Sequence, residues 1–332
     1  MHAPDIRPLV SFNEGTQFHP APLATLRADM GANVELALGM TTSRGRKYVL
    51  YQSHDEELPE ERRQYLIDRG VSTLYVTEKD LDPYFGYVDR AVGKVLDSES
   101  TPPSEKSHLV YHTTTSLMKH LYERPDSPII LRTNQKMVTH MVNFLASDSR
   151  LLRTVVSMFV YDYSLYTHAV NVATISAGMA LKIGFQPGRE LEQIGQGFLL
   201  HDIGKCKLPT EIVSKPGTLT PSEIAQIQRH PAFGVEQMQG RENIESPALE
   251  IILHHHEKLS GRGYPHNLSA KDIQMPVRIA VVADVFDALT SHRSYKAALT
   301  GFQALKLMQE QMKYELDSEC MRALISLLGP SS

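Results

Sequence analysis

The stretch LLHDIGKCKLP, residues 199–209, places polar groups where a helix should stay apolar. His201 and Asp202 follow two leucines directly, and Lys205 comes one helical turn later. An imidazole and a carboxylate at the buried end of a helix are costly unless a metal ion or a set of hydrogen bonds holds them. A buried site with its own chemistry is therefore expected here.

Further residues of the types that bind metals lie in the second half of the chain. They are His168, His230, His254, His255, His256 and Asp284. Imidazoles with a few carboxylates suit iron, manganese or zinc, and helical bundles build such sites from facing helices. A single histidine is more often an ordinary core or surface residue, and His54 and His140 are interpreted in that way.

The elements that must position these residues change across a polar stretch. DSESTPPSEKS, residues 97–107, has two prolines and no apolar residue, which is typical of a linker. Before it, NVELALGM, KYVLYQS and STLYVTE predict short strands, and PEERRQYLIDRG predicts a helix. After it, SHLVYHTTTSLMKHLYE, KMVTHMVNFLAS and SLYTHAVNVATISAGMALKIG have apolar residues at helical spacing. The predicted fold is α+β: a small N-terminal α/β module followed by an all-α helical bundle.

Composition limits the classes of partner. A formal charge of -4 provides no basic excess, so long nucleic acid is not expected to bind, whereas a small anion in a local basic pocket is compatible. We find no apolar run of 18 residues and no signal peptide, so no membrane segment is expected. Two cysteines are too few for a disulfide framework, which favours the cytoplasm.

Four motifs follow one another in order: HDIGK, QRHPAFG, HHHEKLSGRGYP and RIAVVADVFDALTSHRSYK. Together they resemble the HD-GYP subgroup of the HD phosphohydrolases, which are bacterial cyclic di-GMP phosphodiesterases. His201–Asp202 and Gly263–Tyr264–Pro265 carry the two halves of that name. The resemblance extends from about Tyr161 to Met312. It implies an HD-type bundle and a metal-dependent hydrolase with a role in signalling.

The resemblance also implies a centre of two divalent metal ions, with Fe or Mn expected first and other metals left open. Its ligands, matched position by position, are His168, His201, Asp202, His230, His255, His256 and Asp284. Asp202 is expected to bridge the two ions, which would activate a bridging hydroxide and bind the phosphate. His254 matches no family position, and Asp287 is interpreted as a residue that orients a ligand.

Residues for catalysis and substrate binding follow from the same resemblance. Asp202 and Lys205 are the predicted catalytic residues, although Lys205 could also be an ordinary surface lysine. Tyr264, on a Gly-rich turn, offers the nucleotide a stacking face and a hydroxyl. The predicted substrate-binding residues are Lys205, Gly263, Tyr264, Arg293 and Lys296.

Two positions depart from the family pattern. Ser164 stands four residues before His168, where many members have a glutamate that helps to bind a third metal. A hydroxyl is a poor substitute for a carboxylate, so we expect two ions and not three. Ser260 replaces the aspartate of HHE-x-x-D-G-x-G-Y-P. This change is expected either to loosen the loop or to alter the preferred nucleotide.

These assignments divide the chain into a regulatory or sensory module (1–97), a linker (98–107), connecting helices (108–160) and a catalytic domain (161–328). The predicted function is hydrolysis of cyclic di-GMP. Hydrolysis of another nucleotide, such as a linear dinucleotide or cyclic GMP-AMP, stays open, and so does a non-catalytic cyclic di-GMP receptor. A homodimer, or a signalling protein bound through the first module, is a further partner to consider.

Overall fold

A computed structural model describes residue 12 and residues 15–26, 33–43, 45–54, 56–148, 151–156, 164–292 and 298–329. The chain divides into two compact units, residues 1–116 and 117–332. A small antiparallel sheet lies in the first unit, and the second is built from helices. The predicted α+β class is confirmed.

Four strands form the sheet of the first unit. They are β1 (Phe18–Pro22), β2 (Leu36–Thr42), β3 (Gly45–Gln52) and β4 (Thr73–Thr77), in the spatial order β1-β4-β2-β3 with antiparallel neighbours. The three predicted strands correspond to β2, β3 and β4. The sequence pattern does not predict β1, because FHPAP contains two prolines. Proline is tolerated at a sheet edge, where β1 lies.

Three helices follow along the chain: α1 (Glu60–Asp68), α2 (Leu81–Asp97) and α3 (Pro103–Glu123). One face of α2 is apolar and buried, and the helix packs beside β4. Only residues 98–102 separate α2 from α3, so the non-helical segment is shorter than the predicted linker 98–107. Its second half is helical because Pro103 is compatible with a first helical turn. The division into domains stays a prediction.

The second unit is organised around one buried helix. Its helices are α4 (Pro128–Ser147), α5 (Leu151–Val156), α6 (Leu165–Ile183), α7 (Arg189–Leu200), α8 (Thr210–Val213), α9 (Pro221–Ile227), α10 (His230–Met238), α11 (Ser246–His254), α12 (Met275–Thr290), α13 (Gly301–Gln311) and α14 (Ser318–Leu328). Every residue of α6 from His168 to Ala180 is buried, as expected of a helix with apolar residues all round. Helices α7, α12 and α14 pack against it, and α11 packs against α7.

Helix boundaries in the second unit follow local signals. Thr220 caps α9, with Pro221 at the first helical position. Among the helices of the described ranges, none has the length and apolar character needed to cross a bilayer.

Candidate functional site

The seven predicted ligand residues meet at one place in the second unit. They come from the first turn of α6 (His168), the residues after α7 (His201, Asp202), the start of α10 (His230), the residues after α11 (His255, His256) and the middle of α12 (Asp284). Two groups have ligand atoms within 4.8 Å of one another: His168, His201 and Asp202, and Asp202, His230, His255 and His256. Asp202 belongs to both groups.

The buried carboxylate of Asp202 lies between two pairs of imidazoles. Its Oδ1 is 3.1 Å from His230 Nε2 and 3.7 Å from His255 Nε2. Its Oδ2 is 3.5 Å from His168 Nε2 and 3.6 Å from His201 Nε2. Each carboxylate oxygen therefore faces one pair of histidines.

Asp284, on α12, completes the cluster. Its Oδ1 is 3.2 Å from His168 Nε2, and its Oδ2 is 3.7 Å from His256 Nδ1. This carboxylate thus also contacts one imidazole of each group.

Three of the histidines are oriented by unpaired carbonyls at helix ends. In each case Nδ1 donates to the carbonyl three residues earlier: His201 to Phe198 O at 2.8 Å, His230 to Ile227 O at 2.7 Å, and His255 to Ile252 O at 3.0 Å. The last carbonyls of a helix have no partner within that helix, so they are available for this role. A carbonyl only accepts, so Nδ1 carries the proton and Nε2 of the neutral ring keeps its lone pair.

His168 is oriented by a carboxylate instead. Its Nδ1 lies 2.7 Å from Asp287 Oδ2, to which it donates. Asp287 also accepts from Asn171 Nδ2 at 2.8 Å and from Ser291 Oγ at 3.2 Å. Asp287 therefore has the contact expected of a residue that orients a ligand.

The two pairs of facing nitrogens fit a bound cation. His168 Nε2 lies 3.3 Å from His201 Nε2, and His230 Nε2 lies 3.1 Å from His255 Nε2. Two nitrogens bound at right angles to one metal, each at about 2.1 Å, are themselves about 3.0 Å apart. Asp202 Oδ1 is buried and has no hydrogen-bond partner among the described residues. The residues present therefore suit divalent metal ions.

The charge states of the cluster also favour metal binding. Burial lowers the pKa of His201 to about 3, and it also lowers the pKa of His230 and His256, so these rings are neutral at pH 7. Burial alone would raise the pKa of Asp202, but Lys205 and the neighbouring imidazoles hold it well below its usual range. For Asp284 burial is likewise outweighed, here by His168, and its pKa is low. Neutral imidazoles and ionised carboxylates are the forms that bind metals.

The HDIGK motif does not continue α7. The helix ends at Leu200, and Ile203–Lys207 forms a 3₁₀ turn, in which residues three apart lie over one another. Lys205 Nζ therefore donates to Asp202 Oδ2, at 2.5 Å. A continued α-helix would place Lys205, one helical turn later, on the same face as His201. That expectation is wrong, since the ammonium group of Lys205 contacts Asp202 instead.

Gly204 allows α10 to approach this turn. A Cβ atom at position 204 would lie 2.0 Å from His230 O and 2.4 Å from Gly234 N. Any larger residue would push α10 away, and His230 with it. The glycine of HDIGK is thus required for the contact between His230 and Asp202.

The GYP residues cover the cluster next to His256. The ring of Tyr264 stacks on that of His256, with centroids 4.7 Å apart and planes at 25°. Gly263 is needed because a Cβ there would lie 2.4 Å from Glu257 Cα. That Gly263 and Tyr264 contact a nucleotide stays a prediction, whereas Arg293 and Lys296 lie outside the described residues.

Glu257 has a role that sequence reasoning missed. Its buried carboxylate accepts from the backbone N–H groups of His266, at 2.7 Å, and Leu268, at 3.0 Å. Glu257 therefore fixes the backbone of the GYP loop (residues 260–269). The glutamate of HHE next to a Gly-rich turn is the sequence signal that could have indicated this role. His254 contacts Glu250 and His266 outside the metal-ligand groups, in agreement with its lack of a family position.

The two departures from the family pattern have local roles. Ser164 Oγ accepts from Thr167 N at 3.1 Å and caps α6. Ser260 forms a backbone bridge with Ser269 across the base of the GYP loop.

A cavity of about 550 Å³ adjoins Lys205. Ser164, Lys215 and His292 contribute polar groups to it, and Leu208 and Ile227 are among its apolar walls. Lys205 therefore stands between Asp202 and a space that a ligand could enter.

Comparisons with known proteins place this geometry in a family. A model of the HD domain matches residues 145–320. A cyclic di-GMP phosphodiesterase of Pseudomonas aeruginosa is 33% identical over 178 residues, 54% of this chain and 42% of that protein. A 3'3'-cGAMP-specific phosphodiesterase of Vibrio cholerae is 34% identical over 190 residues, 56% of this chain and 41% of its own length. The chain thus spans less than half the length of these relatives.

A solved structure shares the overall fold. An HDG"Y"P protein from Bdellovibrio bacteriovorus superposes with a TM-score of 0.70 at 20% identity, covering 94% of this chain and 99% of that one. The HD domain match extends over more than half of the chain and contains all four motifs that resemble the HD-GYP subgroup. The chain therefore belongs to the HD domain family, as its HD-GYP motifs indicate.

Proposed function

We propose that the second unit hydrolyses a cyclic dinucleotide at the His/Asp cluster. The observation that carries the proposal is Asp202, whose two oxygens each face a pair of imidazoles. This is the arrangement required of a carboxylate that bridges two metal ions. The relatives support the substrate class, because they are named phosphodiesterases of cyclic di-GMP and of 3'3'-cGAMP.

In this proposal each half of the cluster would hold one ion. The first would be held by His168, His201 and Asp284, the second by His230, His255 and His256, and Asp202 would be shared between them. Bound divalent ions would lower the pKa of a water and withdraw charge from the phosphodiester. The chain's own part is to set the directions of four imidazoles through Asp287 and helix-end carbonyls.

Lys205 is the proposed electrostatic residue. Its ammonium group contacts Asp202 and lines the adjoining cavity, so it can contact a phosphoryl oxygen without leaving the carboxylate. A positive charge there stabilises the negative charge that develops during hydrolysis. Gly263, Tyr264, Arg293 and Lys296 are proposed to contact the rest of the nucleotide.

We propose two ions and not three. Ser164 supports this number, because its hydroxyl already caps α6 and carries no charge. Iron or manganese is proposed as the native metal, since both accept mixed imidazole and carboxylate ligands.

Cyclic di-GMP is the proposed substrate, and 3'3'-cGAMP is the second candidate because a relative of similar identity is specific for it. A non-catalytic receptor for the same nucleotides is a third possibility, from another functional class. The presence of all seven ligand residues favours the enzyme over the receptor.

One experiment separates these functions. The full chain, purified without chelators, is analysed for metal content and incubated with cyclic di-GMP, 3'3'-cGAMP and a linear dinucleotide, and products are resolved by chromatography. We expect two transition-metal ions per chain and hydrolysis of at least one cyclic dinucleotide. Nucleotide binding without product would support the receptor, and three tightly held ions would contradict the proposed number.

A further inference from the structure

The GYP loop is held from the end of α11. Glu257 accepts from the backbone of His266 and Leu268, and Tyr264 N donates to His256 O at 3.2 Å. The backbone is therefore fixed on both sides of Pro265. These contacts are made to main-chain atoms and would tolerate other side chains at position 266.

A second contact joins the same two segments through side chains alone. His254 Nε2 lies 3.0 Å from His266 Nδ1, and His254 Nδ1 lies 3.0 Å from Glu250 Oε2. A carboxylate only accepts, so His254 Nδ1 must donate to Glu250. In the neutral ring Nε2 then accepts, and His266 Nδ1 is the donor.

The two histidines differ in environment. His254 is 8% exposed, whereas His266 belongs to the exposed surface of the loop. A hydrogen bond with a buried acceptor is stronger than one in water, and losing it leaves that acceptor unpaired. Because His266 itself fills no space in the core, its removal would create no cavity.

The contact lies next to the candidate site at both ends. His254 directly precedes His255, and His266 lies two residues after Tyr264. The ring of Tyr264 in turn rests on His256. A loop displaced at position 266 would therefore lift Tyr264 away from the cluster.

We propose that His254 and His266 are positioning residues, whose side-chain hydrogen bond holds Tyr264 over the candidate site. Glu250 supports the pair by fixing which nitrogen of His254 accepts. The expected effect on nucleotide affinity rests on the proposed function, whereas the expected effect on the loop does not.

The effect on the loop can be measured without turnover. The chain contains no tryptophan, so Tyr264→Trp introduces a single reporter on the loop. In this background, His266→Ala should increase quenching of the indole by acrylamide about twofold, because local opening becomes easier. His266→Asn should leave quenching unchanged, since its amide nitrogen can take the place of Nδ1 as donor. His108→Ala, at an exposed histidine of the first unit, is the control.

The effect on the reaction is measured with Tyr264 intact. His266→Ala should raise KM for the hydrolysed dinucleotide about tenfold, change kcat little and leave metal content unaltered, and His266→Asn should restore KM. Equal quenching in the alanine variant and its parent would overturn the inference, and so would a failure of asparagine to rescue. If the unmodified chain hydrolyses no cyclic dinucleotide, the proposed function fails, and the quenching comparison still decides this inference.

Discussion

At the site, single side chains are arranged so that acceptors converge on shared points. Helix-end carbonyls and Asp287 accept hydrogen bonds from Nδ1 of four histidines, so that Nε2 of each ring points into the cluster. Asp202 and Asp284 add ionised oxygens, because the nearby imidazoles, and for Asp202 also Lys205, outweigh the effect of burial on their pKa values. A concentration of buried acceptors is stable only with positive charge at its centre.

Asp202→Asn should remove the proposed bridge while keeping the shape of the side chain. The amide bears no charge and cannot bind two ions, so metal content should fall below one ion per chain. We expect the rate of hydrolysis to drop by at least about a thousandfold, since bound metals lower the activation barrier by several kcal/mol. Elemental analysis and product chromatography measure the two effects. Exposed Asp68→Asn serves as the control for the charge change, and retention of both metals in Asp202→Asn would contradict the assignment.

Lys205→Met should impair the reaction without removing metal. We expect kcat/KM to fall about a hundredfold, because a positive charge near the developing negative charge is lost. Lys207→Met is a matched control two residues away. Lys207 pairs with Glu236 at 3.1 Å on the surface, so its loss should change kcat/KM by less than about twofold. If kcat/KM changes equally little in both variants, Lys205 has no catalytic role and is an ordinary surface lysine, the alternative given by the sequence analysis.

The residues of the cluster could be predicted because ordered motifs mark them: the structure brings His168, His201 and His230 together with the other four residues. That they bind metal stays a prediction. The orientation of three of the histidines could not be predicted, because it depends on which helix ends place a carbonyl three residues earlier. Asp287 was predicted to orient a ligand, but its partner His168 is distant in sequence and could not be identified. The loop contacts of Glu257 were missed because its partners are backbone N–H groups, so the only signal in the sequence is the position of the glutamate next to a Gly-rich turn.

Among the elements, the ends of helices matter most for the site. His201 and Asp202 are placed where α7 gives way to a 3₁₀ turn, and this change of helix type moves Lys205 from the side of His201 to that of Asp202. Apolar periodicity predicts the bodies of α6 and α7 well, but it carries no information about such a change in pitch. The edge strand β1 was missed for a related reason, since its prolines contradict a strand pattern without preventing an edge position.

The cap of α14 gives a pH-dependent prediction. Asp317 accepts from Glu319 N and Cys320 N and pairs with Arg278 at 3.0 Å. Burial alone would raise the pKa of Asp317, but the N–H of Cys320 and the charge of Arg278 lower it. A lowered folded-state pKa means that the stabilisation is present above the ordinary carboxyl pKa of about 4 and is lost as pH falls below it.

Asp317→Ala should therefore reduce the free energy of unfolding by about 1 kcal/mol at pH 7, the usual value of a helix cap. The difference from the unmodified chain should begin to shrink below about pH 4, where the carboxyl group of the unfolded chain becomes protonated. It should vanish only below the lowered pKa of the folded chain, where the native carboxylate is protonated as well. Asp317→Asn keeps an accepting oxygen without the titration and is the control. Urea unfolding between pH 3 and pH 7 measures the effect, and a difference that grows towards low pH would show the opposite sign.

For the whole chain, all seven proposed ligands lie in the second unit, residues 117–332. The first unit contributes none of them, and its regulatory or sensory role stays a prediction. The α+β class and the order of the two parts could be predicted from the change in periodicity. The start of α3 at Pro103 could not, because a polar proline-containing stretch is compatible both with a linker and with the first turn of a helix.

A fragment that begins at Pro103 should keep the metal content and helical circular dichroism of the full chain. The reason is that it retains α3 intact together with every proposed ligand. Limited proteolysis of the full chain should cut within residues 98–102, which are non-helical and mostly exposed. Loss of metal from a fragment that is still helical would mean that the first unit contributes to the site. A strand-rich fragment would contradict the described fold.

The hydrogen bond between His168 and Asp287 joins residues 119 positions apart. Closing a loop of this length costs about 4 kcal/mol of chain entropy, so the contact cannot form early or by local folding. At a synthesis rate of about 5–20 residues per second, α12 leaves the ribosome roughly ten seconds after α6. On the proposed assignment, the nascent chain therefore offers incomplete ligand sets throughout that interval. Selection between competing metals would then occur only after folding is complete, at the metal concentrations present in the cell after translation.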